Sequence, residues 1–328
     1  MNSSSFDIVG IGDTVVDAFI KLSAGHIQET AHGAELCIPY GAKVPFESVT
    51  VIPAVGNSAN AVVAASRLGL RTALVTWLGD DAHGKECLTG FEQEHISTEF
   101  VRIEKGKATN YHYVLWFGDD RTILIKHTEF TCVLPGIGEP KWVYLSSLGS
   151  TSLAMHDEIA TYLENHPNIK LAFQPGSYQI KFGKDALKRI YACTEVFCAN
   201  KEEVQQILGI TTDDFKELLD GMTDLGPKII LITDGPRGAY MKHGESYYEP
   251  VYPDPIPPLE RTGAGDAFAS TFVSYLALGH TPKEAILRAP INSMNVEQYV
   301  GAQEGLLSKE KIEELLQKAP PDYQIKHI

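Results

Sequence analysis

The chain contains 328 residues, 44% of them hydrophobic, and carries a formal net charge of −14. This length and composition allow a large core, in one α/β domain or in two smaller ones. The acidic surface argues against nucleic acid and anionic membranes as partners, since like charges repel.

Strand patterns alternate with helical patterns along most of the chain. The first strand is predicted from Phe6 to Gly12, and an alanine-rich helix is predicted over residues 57–69. Further strands are predicted at Thr72–Leu78, Trp142–Leu145, Leu171–Phe173, Val196–Ala199 and Lys228–Thr233, with helices near 154–165, 183–191, 201–208 and 213–221. This alternation predicts a mostly parallel sheet with helices on both faces.

Two segments interrupt the alternation. Residues 22–55 show no helical pattern, and residues 108–127 have strand composition on both sides of a turn at 118–120. We expect the second segment to form a β-hairpin and the two segments to pair into a small sheet. Such a sheet either closes over a site and excludes water from it, or is an edge sheet without a role in a site, or forms a dimer surface.

Polar residues mark the end of the first strand and the start of the alanine-rich helix. Asp13 and Asp17 follow that strand, and the carboxyl ends of parallel strands face the ligand crevice of such sheets. Asn57 and Asn60 open a helix that is otherwise apolar, directly after Gly56. Carboxylates and amides suit substrate hydroxyls, while helix capping or a surface charge is the structural alternative.

Two later strands also end in candidate binding residues. Asn200 and Glu203 lie three positions apart and would share one face of a helical turn, where they suit a hydrated Mg²⁺. The alternative is an exposed first turn of a helix. Thr233 begins a loop with Gly235 and Gly238, and glycines permit a close approach of the backbone to phosphate.

The most informative stretch covers residues 261–270 and reads Arg-Thr-Gly-Ala-Gly-Asp-Ala-Phe-Ala-Ser. A helical pattern follows its glycines, so the helix start offers free N–H donors and the positive end of the helix dipole. Asp266 stands at the edge of this anion cradle. The arrangement suits phosphoryl transfer to a hydroxyl, although an N-cap before a buried helix is the simpler interpretation.

Two glycine-rich stretches do not fit the nucleotide motifs that they suggest. Residues 79–85 approach a P-loop, but Glu86 follows where the motif needs a hydroxyl that binds Mg²⁺, so we expect a strand-to-helix turn. Gly10-x-Gly12 lacks the third glycine of a dinucleotide fingerprint. An NAD-linked oxidoreductase is therefore the weakest functional alternative.

Taken in order, these motifs resemble the PfkB-type (ribokinase-like) carbohydrate and nucleoside kinases, over nearly the whole chain. The matching motifs are Gly56-Asn57-x-x-Asn60 with Arg67-Leu68-Gly69, Gly79-Asp80-Asp81-x-x-Gly84, Asn200-x-x-Glu203, Thr233-x-Gly235-x-x-Gly238 and Thr262-Gly263-Ala264-Gly265-Asp266. The resemblance implies an α/β fold, the ribokinase-like three-layer α/β/α architecture with a mostly parallel central sheet and a small β-sheet lid. Its core, with the ATP and catalytic sites, would be 1–17, 56–107 and 129–328, and its lid 18–55 and 108–128.

The resemblance also implies roles for individual residues in an ATP-dependent transfer to a primary hydroxyl. Asp266 would be the general base, with the backbone of Gly263, Ala264 and Gly265 as the anion hole and Arg261 beside the phosphate. The acceptor would be held by Asp13, Asp17, Gly56, Asn57 and Asn60. ATP would be bound by Asn200, Thr233, Gly235, Gly238, Asn292 and Asn295, and Mg²⁺ by Glu203 through water.

The sequence departs from the family pattern at several positions. Val55-Gly56 replaces the usual pair of glycines in the substrate floor. Glu260 and Arg261 stand where the family has Asp and a small hydroxyl residue, so Arg261 either replaces a monovalent cation or assists phosphate binding, and dependence on K⁺ is left open. The absence of a Gly-Gly-Lys-Gly pattern favours an unphosphorylated acceptor, although Lys43 keeps an acidic one open.

Alternatives remain at the level of substrate and assembly. The acceptor is a small sugar or a nucleoside, and Tyr111, Tyr113 and Trp116 either stack on a base or form the core of the lid. A non-catalytic sugar-binding regulator is a different class, against which Asp266 and Glu203 argue. Because the cysteines are scattered and the first residues lack signal-peptide character, we expect a cytoplasmic protein. We expect no nucleic-acid or membrane partner, and the exposed edges of the lid sheet suggest a homodimer formed through the lid.

Overall fold

Alternating strands and helices form most of the molecule. The computed structural model describes residues 6–30, 33–118, 120–253 and 256–328. The strands are β1 (Ile8–Ile11), β2 (Val15–Leu22), β3 (His26–Thr30), β4 (Gly33–Cys37), β5 (Phe46–Val55), β6 (Thr72–Gly79), β7 (Val101–Glu104), β8 (Asn110–Phe117), β9 (Asp120–Leu124), β10 (Trp142–Leu145), β11 (Lys170–Phe173), β12 (Thr194–Asn200), β13 (Ile229–Thr233), β14 (Ala239–His243), β15 (Glu245–Glu249) and β16 (Lys326–His327).

The helices connect these strands and cover their faces. They are α1 (Asn57–Arg67), α2 (Ala82–Gln93), α3 (Leu153–Asn165), α4 (Ser177–Phe182), α5 (Lys188–Cys193), α6 (Lys201–Leu208), α7 (Phe215–Asp224), α8 (Ala264–Ala277), α9 (Pro282–Ile286), α10 (Ala289–Val296) and α11 (Lys309–Gln317). A short 3₁₀ helix, Gly235–Arg237, follows β13.

A ten-stranded sheet forms the centre, in the order β16-β15-β14-β13-β12-β11-β10-β1-β6-β7. From β7 to β13 neighbouring strands are parallel, and β14 to β16 add antiparallel pairs at one edge. Successive residues point to opposite faces, so Val143 joins one hydrophobic cluster and Tyr144 the other. Helices α3, α5 and α7 cover the first cluster and α8 to α10 the second, which confirms the predicted three-layer α/β/α fold.

A second, four-stranded sheet has the order β5-β2-β8-β9. The two interrupting segments therefore belong to one small sheet, as predicted, but the described strands join them indirectly, because β5 and β8 each pair with β2, which precedes the first segment except for Leu22. Strands β8 and β9 form the predicted hairpin. Strand β2 begins at Val15, so it crosses the boundary between residues 17 and 18 at which the resemblance separates core from lid. We call these four strands the small sheet; β3 and β4 form a separate hairpin between β2 and β5.

The register of the small sheet divides its residues between two faces. Asp17 lies opposite His112, and Lys21 opposite Trp116, which lies opposite Arg121. Asp17, His112, Arg121 and Ile123 line a cavity between the small sheet and the core, so this is the inward face. The outward face carries half-exposed Val49, Val51, Tyr113 and Leu124.

One predicted helix is misplaced. The helix expected near 183–191 is two short helices, because α4 ends at Phe182 and α5 begins only at Lys188. Gly183 follows α4 with a φ of 85°, a conformation that favours glycine and ends the helix. The helix expected at 213–221 begins later, at Phe215, since Asp214 caps it by accepting a hydrogen bond from the Lys216 N–H.

Candidate active site

Two cavities meet at the carboxyl ends of the central strands. The lid-side cavity, of about 400 Å³, lies between the core and the inward face of the small sheet. The predicted residues that line it are Asp13, Asp17, Gly56, Asn57, Asn60, Asn200, Glu203, Thr233, Arg261, Gly263, Gly265 and Asp266. The proline-rich cavity, of about 390 Å³, is lined by Thr233, Gly235, Gly238, Arg261, Ala264 and Gly265 together with five prolines. Thr233, Arg261 and Gly265 border both cavities.

Asp266 lines the lid-side cavity and directly follows Gly265, which borders both cavities. It is the third residue of α8 and only 9% exposed. Its Oδ1 accepts hydrogen bonds from Asn57 Nδ2 and Gln174 Nε2, both at 2.9 Å, and its Oδ2 accepts one from Asn60 Nδ2 at 2.7 Å. The carboxylate is therefore held in one orientation by three amide groups.

Two further contacts fix how those amides point. The Tyr144 hydroxyl donates to Gln174 Oε1 at 2.6 Å, and Gln303 Nε2 donates to Asn60 Oδ1 at 2.9 Å. Since each amide oxygen is already engaged, its N–H₂ group is turned towards Asp266. Gln174 and Gln303 are thus part of the site, and neither of these two contacts was predicted from the sequence.

The pKa of the Asp266 carboxyl is raised above its ordinary value. Burial is the largest cause, because it disfavours the charged form, and the negative charge of Asp17 adds to it. The hydrogen bonds from Asn60, Gln174 and Asn57 act in the opposite direction. The result is a carboxylate that takes up a proton more readily than an exposed one.

The backbone around Gly263, which is predicted to form an anion cradle, lies at the start of α8. Gly263 has a φ of 84°, and a Cβ there would lie 2.2 Å from the Cβ of Ala302. The first intrahelical bond runs from the Ala267 N–H to the Gly263 carbonyl, so the helix itself does not use the preceding N–H groups. The Ala264 N–H meets the Arg261 carbonyl at 3.4 Å, whereas Gly265 faces both cavities.

Gly56 brings helix α1 against the first strand. Its φ is 121°, and a Cβ there would lie 2.4 Å from the Asp13 carbonyl oxygen. Gly56 is the N-cap of α1, so the side chain of Asn57 is free to contact Asp266 and does not cap the helix. This close approach places Asn57 and Asn60 beside the carboxyl end of β1.

Two histidines, which sequence reasoning missed, accompany the predicted acceptor carboxylates. His127 Nδ1 lies 3.2 Å from Asp13 Oδ2, and His112 Nδ1 lies 3.4 Å from Asp17 Oδ1. Both pairs are within ion-pair distance, but the angles do not make hydrogen bonds. Asp17 Oδ1 is consequently a buried acceptor without a hydrogen-bond partner among the described residues.

Asn200 and Glu203 form a reciprocal cap at the start of α6. Asn200 Oδ1 accepts from the Glu203 N–H at 2.8 Å, and Glu203 Oε2 accepts from the Asn200 N–H at 3.0 Å. The pKa of Glu203 is raised above its ordinary value, chiefly because burial disfavours the charged carboxylate. The hydrogen bond from the Asn200 N–H lowers this pKa, and the negative charge of Asp266 raises it further. Glu203 Oε1 accepts no hydrogen bond from the described residues, which fits a metal-bound water.

The structure does not bring every predicted residue to a cavity. Asn292 is buried, where it donates to Thr271 Oγ1 and accepts from the Leu307 N–H, and Asn295 donates to the Gly305 carbonyl. Their neighbours Ser293, Met294 and Glu297 line the proline-rich cavity instead. Lys43 is exposed and lines neither cavity.

Other expectations are resolved by the same geometry. Tyr111, Tyr113 and Trp116 are not among the residues that line the lid-side cavity. Asp81 caps α2 by accepting from the Gly84 N–H at 2.9 Å, which confirms that residues 79–85 form a strand-to-helix turn. None of the described helices has the length and apolar character that crossing a membrane requires.

Fold and family identify the chain as a phosphotransferase. The pfkB family carbohydrate kinase profile matches residues 36–309, and the chain belongs to that family of sugar and nucleoside kinases. An oxidoreductase is thereby excluded.

The chain resembles both sugar and nucleoside kinases. It is 26% identical over 271 residues to the ribokinase of Bacillus subtilis, covering 80% of this chain and 87% of the relative. It is 25% identical over 230 residues to a nucleoside kinase of Methanothermobacter thermautotrophicus, covering 66% and 70%. The solved ribokinase of Arabidopsis thaliana, complexed with ribose and ATP, superposes with a TM-score of 0.77 at 17% identity, covering 95% of this chain and 99% of that one.

Proposed function

We propose that this protein transfers the terminal phosphoryl group of ATP to a primary hydroxyl of a small, unphosphorylated sugar or sugar-like acceptor. The observation that carries the proposal is the buried carboxylate of Asp266, held by three amides where two cavities meet. The acceptor lies in the lid-side cavity, and the nucleotide lies in the proline-rich cavity. Arg261 and Gly265, which border both, face the group that moves between them.

Asp266 acts as the general base. Its carboxylate accepts the proton of the acceptor hydroxyl while that oxygen forms a bond to the terminal phosphorus of ATP. The bond between this phosphorus and the bridging oxygen breaks, and ADP leaves. The backbone N–H groups of Gly263, Ala264 and Gly265 stabilise the charge that collects on the phosphoryl oxygens, and Arg261 adds a permanent positive charge. The small sheet acts as a lid that excludes water, which would otherwise be phosphorylated instead of the acceptor.

Magnesium fits the residues at the start of α6. Glu203 presents one uncommitted carboxylate oxygen to the lid-side cavity, beside Asn200 and Thr233. Mg²⁺ commonly keeps several waters and is bound through few carboxylates, and it would neutralise phosphate charge there. Within the described ranges no group of three or more His, Cys, Asp or Glu is arranged as a metal site, so Glu203 would hold the ion through water.

The charges around the acceptor favour a neutral polyhydroxylated molecule. Asp13 and Asp17 line one side of the cavity with carboxylates, which accept hydrogen bonds from hydroxyls and repel an acidic substrate. A nucleoside is the second candidate. It is supported by the edge-to-face pair of His127 and Tyr178 in the same cavity and by the nucleoside-kinase relative.

A screen of coupled ATP consumption over neutral sugars, sugar acids and nucleosides tests the proposal. Turnover with a neutral sugar supports it, and turnover with nucleosides alone supports the second candidate. Saturable sugar binding without any turnover would instead indicate a non-catalytic regulator. A phosphorylated sugar as the best acceptor would contradict the proposed role of Asp13 and Asp17.

Replacing Asp17 with Asn is expected to raise the KM for the acceptor roughly 10- to 100-fold while the KM for ATP is unchanged. The reason is the loss of a charged acceptor, since hydrogen bonds to charged groups contribute about 1.5–3 kcal/mol. Steady-state kinetics with each substrate varied in turn measure this effect. Glu47→Gln is the control, because Glu47 lies on the same sheet but forms an exposed ion pair with Lys21. Equal changes in both KM values would contradict the assignment.

The outward face of the lid suits contact with a second copy of the chain. Val49, Val51, Tyr113 and Leu124 lie on that face, and the sheet has free edges at β5 and β9. Val51→Glu is expected to convert a dimer into a monomer in sedimentation-velocity measurements, whereas Val133→Glu, at an exposed position off the lid, is expected to leave it intact. A wild-type protein that stays monomeric at all concentrations would refute the dimer.

A further inference from the structure

A buried carboxylate lies directly before the anion cradle. Glu260 is 0% exposed. Its Oε1 accepts hydrogen bonds from the Thr262 N–H at 2.9 Å and from the Thr262 hydroxyl at 2.6 Å. The N–H of Glu260 donates to the Glu297 carbonyl at 3.2 Å, which anchors the same segment to the end of α10. Glu260 thus shapes the turn that leads into Gly263.

The charge of Glu260 is only partly compensated by these contacts. Its Oε2 is buried and has no hydrogen-bond partner among the described residues. A buried carboxylate without a counter-charge is costly, and removing its partner destabilises the surrounding structure. Across the part of the chain that the structure describes, the one cation within ion-pair distance is Arg121, whose Nε lies 3.6 Å from Glu260 Oε1.

Arg121 comes from the lid and not from the core. It lies on β9, and the register places it on the inward face, where it lines the lid-side cavity. Its other ion-pair partner, Asp120, is an exposed neighbour with a side chain 77% accessible, so that pair adds little. Arg261, which is predicted to replace a monovalent cation or to assist phosphate binding, is exposed and makes no ion pair with the described residues.

We infer that Arg121 is a positioning residue that couples the lid to the anion cradle through Glu260. With the lid over the acceptor, Arg121 compensates the buried carboxylate, and Glu260 holds Thr262 and the start of the cradle in the shape that presents its N–H groups to phosphate. At 3.6 Å the pair lies outside hydrogen-bond range, so a slight further closure of the lid would form a charge-assisted hydrogen bond. The catalytic consequence rests on the proposed function, but the coupling itself does not.

Hydrogen exchange on the full chain tests this coupling without any acceptor. In Arg121→Gln, the amides of residues 262–266 are expected to exchange on the order of tenfold faster than in the wild type, because a buried charge has lost its partner. Arg102→Gln, which removes an exposed strand arginine without an ion pair in the described residues, is expected to leave them unchanged. Arg121→Lys should restore part of the protection.

The double variant distinguishes coupling from general loss of structure. Arg121→Gln combined with Glu260→Gln removes both charges, so exchange in residues 262–266 is expected to return towards the wild-type rate. Exchange in Arg121→Gln equal to that in Arg102→Gln, or faster exchange in the double variant than in either single one, would overturn the inference. If the wild type phosphorylates no acceptor, the proposed function fails while this result still stands.

Where an acceptor has been found, kinetics add a second measurement. Arg121→Gln is expected to lower kcat about tenfold and to leave the KM for ATP unchanged, because the residue acts on the cradle and not on nucleotide binding. An unchanged kcat together with faster exchange would contradict the catalytic part of the inference alone.

Discussion

Replacing Asp266 with Asn is expected to lower kcat by about 10²- to 10⁴-fold, the usual contribution of a general base, while ATP still binds with wild-type affinity. An asparagine cannot accept the proton of the acceptor hydroxyl, although it fills the same space between Asn57, Asn60 and Gln174. Initial-rate measurement of acceptor phosphorylation gives kcat, and calorimetric titration with ATP gives the affinity for the nucleotide. Asp157→Asn, which changes an exposed carboxylate on α3, is the matched control.

The same residue sets the acidic side of the pH profile. The base must be ionised to act, so kcat/KM is expected to fall as pH drops through the raised pKa of Asp266, above the value of about 3.9 that is ordinary for aspartate. In Asp266→Asn the residual rate is expected to lose that limb. Full activity of the variant, or a wild-type limb at the ordinary aspartate value, would show that another group is the base.

Two glycine-to-alanine variants in the first turn of α8 are expected to separate effects on kcat from effects on stability. Gly265→Ala is expected to lower kcat alone, and Gly263→Ala to lower both kcat and stability. A Cβ at 265 meets nothing within 4 Å, and alanine is favoured over glycine in a helix by about 0.5–1 kcal/mol, so the variant is expected to be at least as stable as the wild type. Gly265 borders both cavities, however, so under the proposed function the added methyl group would lie where the phosphoryl group approaches. We expect kcat to fall on the order of 10²- to 10³-fold, the effect of losing one donor to a developing anion, because the methyl group would keep a phosphoryl oxygen away from the N–H that alanine still carries.

Gly263→Ala is expected to lose both properties. Its φ of 84° is unfavourable for alanine, and its Cβ would lie 2.2 Å from that of Ala302. Thermal unfolding and acceptor phosphorylation, measured on both variants, check the contrast. A Gly265→Ala enzyme with wild-type kcat would contradict the proposal that the phosphoryl group passes against Gly265.

The secondary structure of the core was largely predictable because buried parallel strands are short apolar runs and the helices between them are amphipathic. The prediction was wrong at 183–191, where a glycine with positive φ interrupts a pattern that reads as one helix. That the two strand-rich segments share one small sheet was predictable from composition, whereas their connection through β2 was not. Which face of that sheet turns inward was not, since it depends on the register between β2, β8 and β9.

The candidate site shows the same division. Residues within motifs, such as Asp266 and Asn57, carry a local signal and come together as predicted. Gln174 also carries one, because it directly follows a predicted strand at the carboxyl edge of the sheet. Asn292 and Asn295 were assigned by resemblance alone, and in the structure the buried amide of Asn292 bonds Thr271 while the half-buried amide of Asn295 bonds the Gly305 carbonyl.

The sequence by itself determined the parallel α/β core and the glycine-rich turn with its carboxylate, because both depend on patterns within a few consecutive residues. Only the tertiary structure decided which distant groups meet that turn. Arg121 approaches Glu260, and Gln303 orients Asn60, across long separations in the chain. Such contacts depend on how the lid and the helices pack, and packing is decided by the whole chain at once.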